Sequence, residues 1–101
     1  LIQTENQLTV PISGTGSAGM ETCFVNLIER GDQVLILING VFGTRMEDVA
    51  QRLGAEVDSL KIEWGTSVIL DSVREQLAQK KYVLVAVVHA ETSTGVCNPV
   101  E

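Results

Sequence analysis

Five consecutive aliphatic residues, Val34 to Ile38, limit the folds that are open to this 101-residue chain. Gly31-Asp32 precedes the run and Asn39-Gly40 follows it. An apolar run without alternation is typical of a strand that is buried on both faces of a sheet. The run therefore predicts a strand with no solvent-facing side.

Three other segments carry apolar residues at helical spacing, and each is predicted to form a helix with one apolar stripe. Gly31 and Gly54 are expected to end the first two helices. Asp71 in the first turn of the third helix, and Lys80 and Lys81 at its end, suit the helix dipole. The apolar positions are, helix by helix, Met20, Cys23, Phe24, Leu27 and Ile28; Met46, Val49, Ala50 and Leu53; and Ile69, Val73 and Leu77.

Strand-like segments alternate with these helices and give the predicted order β, α, β, α, β, α, β. Leu8 to Ile12 is β-prone but broken by Pro11, which suits the lead-in to a turn or an edge strand. Val57 to Trp64 has a looser strand pattern, and Tyr82 to Val88 is continuously apolar. The alternation predicts a three-layer α/β/α architecture with a mostly parallel sheet.

Three or four parallel strands would leave long apolar edges unpaired, which complete domains avoid. We therefore expect further strands from outside this sequence. The chain starts without Met, and it stops at Asn98-Pro99-Val100-Glu101, where a turn should lead into another element. Residues 1–101 are accordingly interpreted as part of one larger domain, with a C-terminal remainder that is absent.

Composition excludes several classes of protein. The chain is 45% hydrophobic and 20% charged, as ordinary globular proteins are, and its net charge of −6 argues against nucleic acid as a partner. The sequence has no apolar run long enough for a membrane span and no signal peptide pattern, which predicts a cytoplasmic or organellar matrix protein. Cys23 and Cys97 lack CxxC spacing and are expected to be reduced thiols.

Ligands of open parallel sheets bind beyond the carboxyl ends of the strands. The loops expected there are Ser13 to Ala18, Asn39 to Thr44 and His89 to Gly95. Gly14 to Gly19, which begins in the first loop, matches G-x-G-x-x-G and raises the alternative of a dinucleotide site. That motif expects an acidic residue after the next strand, but Ile38 is followed by Asn39. Glycines and a helix N-terminus still suit a single phosphate. The hydroxyls of Thr15 and Ser17 could bind it or merely cap the helix.

The other two loops offer an aromatic face and hydroxyl groups. Phe42 could stack on a flat cofactor ring or fill the core. His89 and Glu91 are expected to bond backbone groups and not a metal, because the other ligands of a metal site are not evident. One hydroxyl of Thr92, Ser93 or Thr94 could face a ligand. Gly95 is expected to adopt a backbone conformation that other residues resist.

Together these segments resemble the class V aminotransferases of fold type I, in the alanine–glyoxylate and serine–pyruvate group. The matching blocks, in order along the chain, are Ser13 to Glu21, Gly31-Asp32, Asn39 to Arg45 and His89 to Val96. The resemblance implies that the chain belongs to the large, cofactor-binding domain of a pyridoxal 5′-phosphate enzyme. It places Thr15, Gly16 and Ser17 at the phosphate, Phe42 against the pyridine ring and Thr92 at the ring's phenolic oxygen. Some relatives have Trp at the position of Phe42 and His at that of Ser17.

The activity that this resemblance implies is transamination between a small amino acid, alanine or serine, and a 2-oxo acid, glyoxylate or pyruvate. In the family, the Schiff-base lysine and the acid that pairs with the ring nitrogen follow the Thr94-Gly95-Val96 region, so no catalytic residue is assigned here. The resemblance also implies a homodimer. The alternatives are another fold type I enzyme, such as a cysteine desulfurase, a phosphonate transaminase or a lyase, and a stand-alone nucleotide-binding module.

Overall fold

The computed structural model describes residues 4–100, which form a sheet of three parallel strands with helices on both faces and a small separate hairpin. The strand order is β2, β1, β3. The strands are β1 (Gln33–Ile38), β2 (Glu56–Lys61), β3 (Leu84–Ala86), β4 (Ala90–Glu91) and β5 (Val96–Cys97). The helices are α1 (Gly16–Leu27), α2 (Val41–Arg52) and α3 (Leu70–Gln79). The α/β class and the parallel sheet are confirmed.

The centre of the fold is β1, whose residues from Val34 to Ile38 are at most 5% exposed. Because successive side chains point to opposite faces, the strand supplies two cores. Val34 and its neighbours on one face pack with α1 and α2, through residues such as Phe24 and Met46. Leu35 and Leu37 on the other face pack with Val68 and with Val73 of α3. Burial on both faces explains the absence of polar residues in the run.

The predicted strand at Leu8 to Ile12 is wrong. These residues form no strand, and Leu8 is 79% exposed and Val10 60% exposed. Within residues 4–100 no strand lies beside this segment to pair with it, and Pro11 lacks an N–H group that a ladder would need. The segment is therefore the lead-in to α1, the other of the two interpretations.

Two predicted strands are shorter than their apolar sequences. β2 ends at Lys61, and the Ile62 N–H makes the last bond to the Ile38 carbonyl at 2.8 Å. Beyond that point β1 has ended, so Trp64 has no strand to pair with and is 57% exposed. β3 pairs with β1 only over Leu84 to Ala86. The length of β2 is thus set by its partner, and neither strand extends over its whole apolar sequence.

The end of α1 and the start of α2 differ from the predicted bounds. α1 ends at Leu27, before Gly31, and its buried stripe reduces to Phe24 with Ile28 just beyond, while Leu27 is 60% exposed. α2 begins at Val41 and not near Met46, so Phe42 lies on its first turn and not in a loop. None of the helices within residues 4–100 has the length and apolarity needed to cross a bilayer.

Candidate functional site

A cavity of about 560 Å³ lies where the segments following β1 and β3 meet the start of α1. Its wall contains all five residues that the family resemblance assigned to a cofactor. The structure therefore brings together the positions predicted for the phosphate, the ring and its oxygen, which are far apart in sequence. The lining residues are Thr15, Gly16, Ser17, Met20, Phe42, Arg45, Met46, Val87, Val88, Ala90 and Thr92.

The first wall is the N-terminus of α1. Thr15 is its N-cap, since its hydroxyl accepts a hydrogen bond from the Ala18 N–H at 3.3 Å and its carbonyl accepts one from the Gly19 N–H at 3.1 Å. The N–H groups of Gly16 and Ser17 have no acceptor within residues 4–100. Thr15 thus caps the helix, as one interpretation expected, and two free N–H groups at the positive end of the helix dipole adjoin the cavity.

Gly14 and Gly16 of this turn differ in how much space a side chain would find there. A Cβ at Gly14 would lie 3.1 Å from the Cβ of Ala18, whereas a Cβ at Gly16 would meet no atom within 4 Å. Packing inside the described part of the chain therefore gives no reason for glycine at position 16. A ligand that approaches the backbone closely would give one.

The dinucleotide alternative finds no support in this geometry. No strand leads into the turn among residues 4–15, although the dinucleotide motif follows directly on a strand. Asn39, which occupies the position after β1, is 1% exposed and bonded to Asn98. It is not free to bind a ribose.

The second wall is the first turn of α2, which presents Phe42 and Arg45 on one side because residues three apart share a helix face. The Phe42 ring is 40% exposed, so it does not fill the core. Arg45 is the only charged residue among those that line the cavity, and it makes no ion pair within residues 4–100. Sequence reasoning assigned Arg45 no role.

The third wall combines apolar residues after β3 with the hairpin. Val87 and Val88 form its apolar part, and Thr92 its polar part. The hydroxyls of Ser93 and Thr94, the other two candidates, bond inside the protein: Ser93 Oγ donates to Glu91 Oε1 at 2.6 Å, and Thr94 Oγ1 donates to the Asn39 carbonyl at 3.3 Å. Thr92 is therefore the hydroxyl that faces the cavity.

Glu91 satisfies backbone groups, as the sequence predicted. Its side chain is fully buried, and its Oε2 accepts a hydrogen bond from the Gly43 N–H at 3.2 Å. His89 contributes only its carbonyl, which accepts from the Asn98 N–H at 2.7 Å, and its side chain is exposed. Gly95 has a φ of +75°, so the prediction of a special backbone conformation is confirmed.

The chain's lysines lie away from this cavity. Lys61 Nζ is 3.9 Å from a carboxylate oxygen of Glu47, and Lys80 Nζ is 2.7 Å from Asp58 Oδ2. Neither these two residues nor Lys81 belongs to the cavity lining. The described residues thus line a cavity that can hold a ligand, but no lysine amine is among the groups that line it.

A second polar cluster lies toward the amino ends of the strands, where Lys80 and Tyr82 precede β3. Asp58 on β2 accepts hydrogen bonds from Lys80 Nζ and from the Tyr82 hydroxyl, each at 2.7 Å. The bond from Lys80, aided by the one from Tyr82, holds the pKa of Asp58 below its ordinary value, and the carboxylate raises the pKa of Lys80 in return. Burial and then the bond to Asp58 raise the pKa of Tyr82.

Solved aminotransferases share this architecture. An alanine–glyoxylate aminotransferase from Nostoc sp. superposes with a TM-score of 0.91 at 46% identity, over 98% of this chain and 26% of that enzyme. A ureidoglycine–glyoxylate aminotransferase from Bacillus subtilis gives the same TM-score at 42% identity, over 97% of this chain and 25% of that enzyme.

Sequence comparison agrees with the structural one. The alanine–glyoxylate aminotransferase of Rattus norvegicus is 43% identical over the whole chain, which spans 24% of the relative's length. The family model described as aminotransferase class-V matches residues 1–101. The predicted resemblance is confirmed, and the chain belongs to the class-V aminotransferase family.

Proposed function

We propose that this chain forms the cofactor-binding part of a larger enzyme that transfers an amino group from alanine or serine to glyoxylate or pyruvate. The observation that carries the proposal is the single cavity at which Thr15, Gly16, Ser17, Phe42 and Thr92 meet. The chain spans about a quarter of the length of the relatives it matches, so the activity belongs to the whole protein.

The start of α1 fits the phosphate of pyridoxal 5′-phosphate. Gly16 and Ser17 offer two N–H groups with no acceptor in the described residues, at the end of a helix that favours anions. The Thr15 hydroxyl accepts from Ala18 and keeps its own proton, which can be donated to a phosphate oxygen. The free space at the missing Cβ of Gly16 lets the ligand come close to the backbone.

The rest of the cavity fits an aromatic ring with a polar edge. Phe42 offers a ring face, Val87 and Val88 offer apolar contacts, and Thr92 offers a hydroxyl for the phenolic oxygen. A volume of about 560 Å³ is within the usual range for small-molecule sites. The residues present therefore match the phosphate, the ring and its oxygen.

Pyridoxal 5′-phosphate, when bound, supplies the electron sink that amino-group transfer requires. The chain's own residues would orient it: Thr15 and the α1 N–H groups would hold the phosphate, and Phe42 would offer its ring face to the pyridine ring. Arg45 adds a positive charge that attracts the carboxylate of a substrate or the phosphate of the cofactor. We place the residue that moves protons outside this chain, since none of its lysines lines the cavity.

The choice of glyoxylate as acceptor is supported by the relatives. The rat, Nostoc and Bacillus enzymes all carry glyoxylate in their names, whereas their amino donors differ. This chain is 46% identical to the Nostoc enzyme and 42% identical to the Bacillus enzyme, so sequence identity does not distinguish alanine from ureidoglycine as the donor. Glyoxylate is thus the better supported half of the reaction.

The test is an activity screen of the full-length protein with pyridoxal 5′-phosphate. Alanine, serine, (S)-ureidoglycine and cysteine are each offered with glyoxylate, and glycine formation is measured. We expect glycine with alanine or serine. Glycine with ureidoglycine alone would contradict the proposed donor, and sulfide or sulfane from cysteine without glycine would contradict transamination. Borohydride trapping of the cofactor should label a lysine other than Lys61, Lys80 and Lys81.

We also propose that the full-length enzyme is a homodimer, as the resemblance implies. Several large apolar side chains of this chain are exposed, among them Trp64, Ile69 and Val83 at 57%, 63% and 61%. These side chains are available for burial against the rest of the enzyme or against a second subunit. Sedimentation analysis of the full-length enzyme should give twice the monomer mass, and a monomer at micromolar concentration would contradict the proposal.

A further inference from the structure

Helix α2 carries Phe42 into the cavity, yet it lacks an N-cap side chain of its own. Its N-cap residue is Gly40, which has no side-chain oxygen to offer. Two first-turn N–H groups are instead bonded by the hairpin region: Val41 N–H donates to Ser93 Oγ at 3.0 Å, and Gly43 N–H donates to Glu91 Oε2 at 3.2 Å. The cap of this helix is therefore supplied from about fifty residues away.

The two capping side chains also hold each other. Ser93 donates to Glu91 Oε1 through its hydroxyl at 2.6 Å and through its N–H at 3.3 Å. Both carboxylate oxygens of Glu91 are thus occupied, and the negative charge faces the positive end of α2. These bonds and the helix dipole offset the cost of burying the carboxylate completely.

Gly40 makes the space for this arrangement. A Cβ at position 40 would overlap the carboxyl end of the Glu91 side chain and would lie 2.7 Å from Ser93 Oγ. The φ of Gly40 is 178°, an extended conformation that any residue adopts. The position therefore requires glycine because Glu91 and Ser93 fill the volume of a side chain.

The spacing of these bonds relates them to the cavity. The two N–H donors, Val41 and Gly43, stand on either side of Phe42 in the sequence. The two side-chain partners, Glu91 and Ser93, stand on either side of Thr92. Phe42 and Thr92 both line the cavity. Phe42 and Thr92 thus each lie between two residues that make these hydrogen bonds, and the bond between Ser93 and Glu91 joins all four into one network.

We propose that Glu91 and Ser93 are positioning residues that fix the Phe42 ring relative to the Thr92 hydroxyl, so that a cofactor ring is held in one orientation. This inference rests on the proposed function. Neither residue lines the cavity in which the cofactor would bind. They act through the backbone of α2, whose first turn would fray without its cap and would widen the distance between ring face and hydroxyl.

The test uses the full-length holoenzyme and three variants, Glu91→Gln, Ser93→Ala and Gly40→Ala. Glu91→Gln keeps the shape and removes the charge, while Ser93→Ala is mild enough to fold. The readouts are the cofactor dissociation constant, the visible circular dichroism of the bound cofactor and the thermal midpoint. Asp58→Asn is the matched control, because it also removes a hydrogen-bonded carboxylate but lies away from the cavity.

We expect Glu91→Gln and Ser93→Ala to raise the cofactor dissociation constant by roughly tenfold, in line with residues that orient ligand-binding groups, and to alter the visible dichroism. Gly40→Ala should act in the same direction, because its Cβ displaces both capping side chains. Asp58→Asn should lower the thermal midpoint and leave both cofactor readouts unchanged. The proposal is overturned if Ser93→Ala and Glu91→Gln affect only the thermal midpoint, as the control does. Absence of cofactor binding by the unmodified enzyme would instead refute the proposed function.

Discussion

Asn39 and Asn98, 59 residues apart in the sequence, exchange two side-chain hydrogen bonds, and each residue is 1% exposed. Asn98 Oδ1 also accepts from the Val68 N–H at 3.1 Å, and its Nδ2 donates to the Val88 carbonyl at 2.7 Å. All four hydrogen-bonding positions of the Asn98 amide are therefore used. The pair ties the ends of β1 and β5 to the segments before α3 and after β3.

Replacing Asn98 by Ala should lower the free energy of unfolding by about 2–3 kcal/mol, because it leaves buried partners without a hydrogen bond. Chemical denaturation of the full-length protein measures the change. Asn26→Ala is the control, since Asn26 is an exposed asparagine of α1 whose side chain bonds only to the Thr22 carbonyl among residues 4–100, and it should stay within about 0.5 kcal/mol. Equal effects of the two substitutions would contradict the importance of the buried pair.

Two helix glycines should respond in opposite ways to the same substitution. A Cβ at Gly43 would lie 3.0 Å from Ile38 Cα and 3.2 Å from the Leu37 carbonyl, and backbone atoms cannot move aside easily. Gly43→Ala should therefore destabilise the protein by about 1–3 kcal/mol. A Cβ at Gly19 would meet no atom within 4 Å, so Gly19→Ala should stabilise α1 by about 0.5–1 kcal/mol. Thermal unfolding of both variants distinguishes them, and a stabilising Gly43→Ala would disprove the close contact.

The cluster of Asp58, Lys80 and Tyr82 predicts a pH dependence of stability. The bond from Lys80, then that from Tyr82, holds the pKa of Asp58 below 3.8, so folding favours the ionised carboxyl. Its contribution is complete above pH 3.8 and is lost as the pH falls through the lower, folded-state pKa. For Lys80 the pKa is raised above 10.5, mainly by the bond to Asp58, and its contribution disappears as the pH rises past that raised value.

Urea titrations of the unmodified protein and of Asp58→Asn at several pH values test this. The difference in unfolding free energy should be constant near neutrality and should shrink below pH 3.8. Asp48→Asn is the control, because Asp48 makes an exposed pair with Arg52 one helical turn away. Its effect should stay below about 0.5 kcal/mol. A constant difference for Asp58→Asn down to low pH would refute the predicted direction.

Phe42 should contribute to cofactor affinity through its ring face. Phe42→Leu keeps an apolar side chain but removes stacking worth about 0.5–1.5 kcal/mol, so the dissociation constant should rise between about twofold and tenfold. Phe42→Trp keeps an aromatic face and should bind the cofactor at least as well as Phe42. Absorbance titration of the full-length apoenzyme gives both constants, and equal affinities for the Leu and Trp variants would speak against stacking.

Arg45 should matter for anionic ligands, because it is the only charged residue that lines the cavity in the described part of the chain. Arg45→Gln should weaken the binding of the anion it faces by roughly tenfold, or about 1.4 kcal/mol. A raised KM for glyoxylate identifies the substrate carboxylate, and a raised cofactor dissociation constant identifies the phosphate. Arg52→Gln, on the same helix but paired with Asp48, is the control and should change neither value.

Local patterns in the sequence were sufficient to predict the layers of this fold. The run Val34 to Ile38 predicted its own burial, because five aliphatic residues in succession are typical of a strand covered on both faces. The helices followed from apolar spacing. The carboxyl ends of parallel strands meet at one edge, and this explains why Phe42 and Thr92 were expected near each other and do lie at one cavity.

The start of α2 could not be predicted in the same way. The residues before Met46 contain two glycines and no capping side chain at position 40, so they looked like a loop. Their helical conformation depends on Glu91 and Ser93, which no local window includes. Arg45 was missed for the same reason. It lies one turn after Phe42 on the same helix face because α2 begins at Val41. The hairpin of β4 and β5 has two residues in each strand, too few for an alternation signal.

The shared volume at Gly40 and Glu91 has a consequence for how such sequences can diverge. A side chain can be added at position 40 only where positions 91 and 93 lose the atoms that its Cβ would meet, which are Cγ and Cδ of Glu91 and Oγ of Ser93. The three positions should therefore covary among natural relatives that keep this packing. Randomising position 40 alone should yield mostly destabilised proteins, whereas joint randomisation of positions 40, 91 and 93 should recover folded variants.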